Sequence, residues 1–221
     1  PAANRVVKAT NAPVISYGIK SEADLMASDI SSNLNGISFK AITPKGKVII
    51  KLPMLGDYNV YNALASIGIG LHNKCSLSQI KKGLESTIVP GRFEPVNCGQ
   101  DFAVIVDYAH TPDALENLLQ AANRIKKNRT ICVFGCGGDR DQSKRPMMGE
   151  IASKLADHSI ITSDNPRTED PDQILADITS GIADTTRYQL IPDRRIAIRC
   201  AIELAQTGDL IVIAGKGHED Y

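Results

Sequence analysis

From residue 102 onward short apolar runs alternate with amphipathic stretches, and this rhythm limits the fold more than any other feature of the chain. The runs lie at 102–106, 130–134, 159–162, 188–191 and 210–214, each of strand length, and the segments between them carry apolar residues at helical spacing. Such alternation predicts parallel βαβ units, an α/β domain built on a mostly parallel sheet. Two of the intervening helices have marked starts, Thr111 before Pro112 and Asp170 before Pro171. A short polar side chain there satisfies free N–H groups, and proline loses no hydrogen bond at the first helical position. Their apolar faces agree: Leu115, Leu118, Leu119, Ala122 and Ile125 in the first, Ile174, Leu175, Ile178 and Ile182 in the second.

The earlier part of the chain follows another rule. Between 12 and 52 the segments APVISYGI, NGISFKAIT and KVIIKL are separated by polar turns with Gly36 and Pro44-Lys45-Gly46, which predicts antiparallel strands. Val60, Ala63, Leu64, Ile67 and Leu71 then predict a helix from about Asn59, and Leu77, Ile80 and Leu84 a shorter one after Ser76. Pro90-Gly91 breaks the chain, and a boundary placed there gives domains 1–91 and 92–221.

Lys plus Arg and Asp plus Glu each number 25, so no net field favours nucleic acid or an anionic membrane and any charge used in binding must be local. The longest apolar runs are far too short to span a bilayer, and no charged start leads into an apolar stretch, so a cytoplasmic protein is expected. Five scattered cysteines (Cys75, Cys98, Cys132, Cys136, Cys200) include no CxxC pair; they are expected to be reduced and mostly buried, with no metal site among them. The chain starts at Pro1 in a polar stretch, as if cut from a longer protein.

In an open parallel sheet, ligands bind outside the carboxyl ends of the strands, where loops and helix N-termini converge. Four of the five strand exits carry unusual polar motifs: DYAHTP (107–112), GCGGDRD (135–141), SDNPR (163–167) and GKGHE (215–219). The opposite loops, KKNR (126–129) and QTGD (206–209), read as ordinary solvated turns. The glycines of 135–140 can bring backbone N–H groups to an anion at a helix N-terminus, or merely make a tight turn. His110 and Asp107 could form a metal pair or an acid/base dyad, or His110 could be a hydrogen-bonded turn residue. Arg140 and Arg167 offer planar forks to carboxylates, while Asp164 and Glu219 can accept from an ammonium group; together they suit a zwitterionic amino acid, unless they pair with one another as surface ion pairs.

In this order and spacing, GDYNVYN (56–62), PGR (90–92), DYAHTP, GCGGDRDQSKRPMMG, SDNPRTEDP and AGKGHEDY resemble the Mur ligases. The resemblance runs from about Leu52 to Tyr221, and within the family it is to the MurE type, which adds the third residue of the peptidoglycan stem peptide to UDP-N-acetylmuramoyl-L-alanyl-D-glutamate. It implies an ATP- and magnesium-dependent reaction: a glutamate carboxylate is phosphorylated, the amine of a diamino acid attacks the acyl phosphate, and phosphate leaves. It also implies a Rossmann-like C-terminal domain at 92–221 preceded by the end of a central α/β ATPase domain at 1–91. Asn59 and Asn62 would lie near the adenine on one helix face. Arg92 would reach the nucleotide phosphates, Asp107 the ribose or phosphate region, and His110 the same nucleotide. Arg140, Asp164, Asn165, Pro166, Arg167, Gly215 and Glu219 would form the amino-acid pocket. meso-Diaminopimelate differs from L-lysine by one distal carboxylate, so Arg167 argues for diaminopimelate: its fork would pair with that carboxylate and repel a lysine ammonium.

The chain carries no GxxGK[ST] loop, no segment for the uridine diphosphate group and no magnesium-binding lysine of the family type. These parts are expected upstream in cis, so the isolated chain is expected to be inactive and, in the complete protein, a monomer; a final strand or tail is expected after Tyr221. The catalytic residues are accordingly not assigned, and no metal ligand is. The competing readings are a folylpolyglutamate synthase-like ligase, a non-catalytic Rossmann-type binding module, and a magnesium-dependent hydrolase using Asp107, His110 and Asp164.

Overall fold

The computed structural model describes residues 2–33, 36–54 and 56–219. They divide into two compact units, Pro1–Thr87 and Ile88–Tyr221, a division just ahead of the Pro90-Gly91 break.

The first unit contains α1 (Ala2–Ala9), β1 (Tyr17–Gly18), β2 (Leu25–Asn33), β3 (Gly36–Thr43), β4 (Gly46–Leu52), α2 (Asp57–His72) and α3 (Leu77–Ser86). Its sheet runs β1-β2-β3-β4, with β2, β3 and β4 antiparallel and β1 parallel to β2. β3 alternates strictly, burying Ile37, Phe39, Ala41 and Thr43. With Leu25, Ala27, Ile50 and Leu52 these apolar side chains meet Val60, Ala63, Leu64 and Ile67 of α2 to form the core. α3 starts on a capping box, Ser76 with Gln79. Its side chains then occupy the backbone of the edge strand: Lys81 Nζ donates to the Ile49 carbonyl and Glu85 accepts from the Lys51 N–H. The segment APVISYGI yields only the two residues of β1, and β2 and α1 are absent from the sequence expectation. β2 escaped notice because only Leu25 and Ala27 of its first half are buried, and a serine-rich half with a register shift between Ser28 and Ser31 follows.

The second unit contains β5 (Glu94–Pro95), β6 (Ala103–Asp107), α4 (Pro112–Ile125), β7 (Thr130–Phe134), α5 (Lys144–Leu155), β8 (His158–Ile161), α6 (Pro171–Thr179), β9 (Tyr188–Leu190), α7 (Arg194–Leu204) and β10 (Leu210–Ala214). The sheet order is β5-β6-β10-β7-β8-β9, parallel throughout except for β5. β7 is buried at every position, as a central strand covered on both faces must be. Ala197 and Ala201 of α7 cover one face over Ile131, Val133, Ile160 and Ile211. The caps form as expected, Thr111 accepting from the Ala114 N–H and Asp170 from the Asp172 N–H. The last strand, β10, inserts between β6 and β7. That placement sets the four polar motifs on four adjacent strands, β6, β10, β7 and β8. Among the described residues no helix is long and apolar enough to cross a membrane.

Two sequence expectations need correction. Of the five thiols only Cys132 and Cys136 are buried, and Cys98 is exposed. KKNR and QTGD are not simple solvated turns either. Asp209 is 1% exposed and accepts from Arg129 Nη2 at 2.6 Å and from the N–H groups of Arg129 and Gln206. Burial raises its pKa, but the Arg129 fork and these N–H groups outweigh burial and leave it below the usual carboxylate value. A carboxyl whose folded pKa is depressed stabilises fully above its unfolded pKa and loses that contribution as pH falls through the folded one. Urea midpoints should therefore fall below about pH 4, where free carboxylates protonate. Asp209→Asn should flatten that decline and, because Arg129 stays partly exposed, cost about 2 kcal/mol at neutral pH.

The start of α5 holds a second buried charge. Arg145 has no exposed side-chain surface. Its Nη2 donates to both oxygens of Glu169 at 2.8 Å, and its Nη1 donates to Asp177 Oδ2 at 2.8 Å. One guanidinium thus ties α5 to α6 and to the loop after β8. Removal would strand two carboxylates, so Arg145→Ala should lower stability by about 3 kcal/mol or more, read from urea unfolding.

Candidate functional site

The exits of β6, β10, β7 and β8 open onto one cleft of about 640 Å³. Its walls come from the sequence motifs, and loop contacts fix their geometry. Gly138 N–H donates to the Asn165 carbonyl at 2.8 Å, Glu169 accepts from the Asp139 N–H, and Asp139 accepts from the Thr168 hydroxyl at 2.7 Å. The two loops approach so closely that a Cβ on Gly138 would lie 1.9 Å from the Pro166 carbonyl oxygen. Here glycine is required by contact with the facing loop. At the centre of this seam Arg167 adopts φ 50° and donates from Nη1 to the Gly138 carbonyl at 2.6 Å.

Arg140, Asp164, Asn165, Arg167, Gly215 and Glu219 all line the cleft. Among the described residues neither Arg140 nor Arg167 forms an ion pair with an acid, so the two forks are not neutralised by Asp164 or Glu219. Asp164 lies 4.0 Å from Lys216 Nζ, its side chain 9% exposed. Asp164 Oδ2 also sits tightly over Gly215, where a Cβ would come within 2.8 Å. Glu219 accepts from the Tyr108 hydroxyl at 3.1 Å. Pro166 contributes to the seam through its carbonyl.

The residues expected at the nucleotide fall in both units. Asn59 and Asn62 share one face of α2, where Asn62 Nδ2 donates to Asn59 Oδ1 at 3.1 Å. In the second unit, the Arg92 guanidinium stacks 4.8 Å from the centre of the Tyr108 ring. His110 lines the cleft, its Nδ1 2.8 Å from the Tyr108 carbonyl. Asp107 is 4% exposed, and one oxygen accepts from the Phe93 N–H, the other from the Ala109 N–H. Burial raises its pKa, opposed by those two N–H groups and by Arg92. Asp107 makes no hydrogen bond with His110, so the geometry favours turn-holding over an acid/base dyad. Among the described residues no three His, Cys, Asp or Glu side chains are grouped to hold a metal ion.

Sequence reasoning passed over Tyr108, Lys144 and Arg194. Lys144 Nζ donates to the His110 carbonyl at 3.1 Å, joining the start of α5 to the exit of β6. Arg194 donates from Nη2 to the Ala214 carbonyl at 2.9 Å, and burial is the main cause that lowers its pKa. Tyr108 has a visible signal in the sequence, lying inside DYAHTP between Asp107 and His110. Asp220 and Tyr221, the end of the AGKGHEDY motif, lie outside the described residues.

Comparison with known proteins gives two family matches, the Mur ligase middle domain over residues 1–70 and the Mur ligase glutamate ligase domain over residues 91–217. The chain is 52% identical over its whole length to a UDP-N-acetylmuramoyl-L-alanyl-D-glutamate–2,6-diaminopimelate ligase of Syntrophomonas wolfei, of which it covers 46%. It is 54% identical over 98% of its length to the enzyme of that name from Trichormus variabilis, covering 45%. The chain thus spans about half the length of the curated relatives it matches. A solved structure bearing the same enzyme name matches all of the chain and 46% of its own, with 40% identity and a TM-score of 0.65. Folylpolyglutamate synthase from Mycobacterium tuberculosis shares the fold at 20% identity and a TM-score of 0.72, over 87% of this chain and 45% of its own. With the glutamate ligase domain alone spanning more than half of the chain, these residues belong to the Mur ligase family.

Proposed function

We propose that the chain is the C-terminal part of an ATP-dependent amide ligase that adds meso-diaminopimelate to UDP-N-acetylmuramoyl-L-alanyl-D-glutamate in peptidoglycan synthesis. The observation that carries the reading is one cleft facing Arg140 and Arg167, two forks that form no ion pair among the described residues, and Asp164 and Glu219, two carboxylates. A molecule with separated carboxylates and ammonium groups suits that array, and a lone anion or cation does not. The names of the relatives at 52% and 54% identity support the same reading.

In this proposal Arg167, its backbone and one guanidinium nitrogen already fixed, turns the rest of its fork to the distal carboxylate of the amino acid. Asp164 and Glu219 accept from its ammonium groups, with Asn165, Pro166 and Gly215 shaping the wall and Arg140 supplying the second cation. Holding a neutral amine in line with the activated glutamate carbon is then chiefly a matter of position. Arg92 and His110 serve the nucleotide phosphates, and Asn59 and Asn62 the adenine. Asp107 acts on the nucleotide through the Phe93 segment that it holds. Magnesium, when bound, neutralises phosphate charge; no ligand for it is assigned to this chain.

The test is ADP release by the complete protein carrying these residues, with ATP, magnesium and UDP-muramoyl-dipeptide, comparing meso-diaminopimelate with L-lysine. Diaminopimelate should be strongly preferred. Arg167→Ala should reduce kcat/KM for it by about 30-fold or more, as loss of one side of a desolvated charge pair does. Preference for lysine would keep the ligase and discard the pocket, and no release with either amino acid would discard the function.

A further inference from the structure

One aromatic ring touches residues assigned to both substrates. Tyr108 is the first residue after β6, half-buried, and lines the cleft itself. Arg92 lies over its ring at 4.8 Å, and the His110 ring meets it edge-on at 4.6 Å. At its far end the hydroxyl donates to Glu219 Oε1 at 3.1 Å, across the exits of two neighbouring strands. The base of the side chain is closely packed. Gly217 packs against the Tyr108 main chain, so that a Cβ there would lie 2.8 Å from the Tyr108 Cβ, and the PGR turn packs on the same segment, with a Cβ on Gly91 only 2.3 Å from the His218 N.

We propose that Tyr108 is a positioning residue for the incoming amino acid. By occupying Oε1 of Glu219 it fixes the carboxylate plane and leaves Oε2 to receive the amine, while its ring holds Arg92 beside the same wall. This rests on the reading of Glu219 as an amine acceptor. A hydroxyl that orients a carboxylate for one substrate should affect that substrate alone, whereas the ring that carries Arg92 should affect the nucleotide. Phenylalanine and leucine therefore separate the two duties.

The experiment is steady-state kinetics of the complete ligase carrying Tyr108→Phe, Tyr108→Leu, Glu219→Gln or Tyr108→Phe with Glu219→Gln. Tyr108→Phe should raise KM for the diamino acid about tenfold, the size of a hydrogen bond to a charged group, with kcat and KM for ATP nearly unchanged. Tyr108→Leu should also raise KM for ATP, by about threefold or more, as a cation–π contact is lost. The double variant should be little worse than Glu219→Gln alone, because the hydroxyl acts through that carboxylate. Unchanged KM for the amino acid in Tyr108→Phe would overturn the proposal, as would an equal rise for ATP or additive effects in the double variant. The wild-type comparison keeps the two failures apart. If wild type uses L-lysine, the same KM test applies to the lysine amine, and if it uses neither amino acid, the functional reading fails and takes the role of Tyr108 with it.

Discussion

The Arg145 guanidinium, closed off from solvent between Glu169 and Asp177, is the constraint on which the geometry of the cleft depends. A buried cation is tolerated only where anions reach it with good geometry, so α5, α6 and the loop after β8 have little freedom to shift relative to one another. Glu169 is held by this requirement, and so held it also accepts from the Asp139 N–H and from Gln142. The glycine-rich loop is thereby drawn onto the facing loop until only glycine fits at 138. Arg167, in the left-handed region at φ 50°, is then fastened to the Gly138 carbonyl. An exposed arginine would otherwise sample many rotamers, and much of that entropy is already lost before a ligand arrives.

The rhythm of the second unit was legible because its central strands are covered on both faces, which makes β7 and β10 continuous apolar runs, while its helices need one apolar stripe. The helix starts at Thr111, Asp170 and Ser76 were legible for a local reason too: caps act within three residues. What could not be read were pairings between distant segments. β5 is two residues long and contains a proline tolerable only at a sheet edge, and β2 buries too few side chains to announce itself. Nothing in the order of the runs says that the last strand lies between the first two parallel ones, although that placement assembles the cleft.

The same division runs through the site. Motif residues such as Arg140, Asp164, Arg167 and Glu219 could be picked out because they stand at strand exits, where side chains are free of the core. Their partners could not. Asp107 and His110, three apart in one motif, look like a dyad, yet Asp107 is committed to the N–H groups of Phe93 and Ala109. Phe93 itself sits at φ 47°, so the carboxylate holds a strained turn directly after Arg92. Arg145 carries no sequence signal of its own, and Asp209 reads as part of a polar turn, because burial of a charge is a property of the assembled layers and not of its neighbours in sequence.

A chain with no net charge can still build a charged cleft from local groups. In this cleft neither Arg140 nor Arg167 forms an ion pair among the described residues, although Arg167 helps to hold down the pKa of Asp139, while Glu219 is oriented by a neutral hydroxyl. Had the four residues paired with one another, they would have offered a charged ligand little beyond a screened surface. Arg140, Asp164 and Arg167 stand instead on loops that Arg145 and the close-packed Gly138 tie together. In the function we propose, the discrimination asked of the site is large, because an ammonium placed where a carboxylate belongs is repelled as well as unpaired. In that proposed function the fixing of Arg167 would convert the sign difference into specificity, since a loose Arg167 could swing aside and admit either ligand.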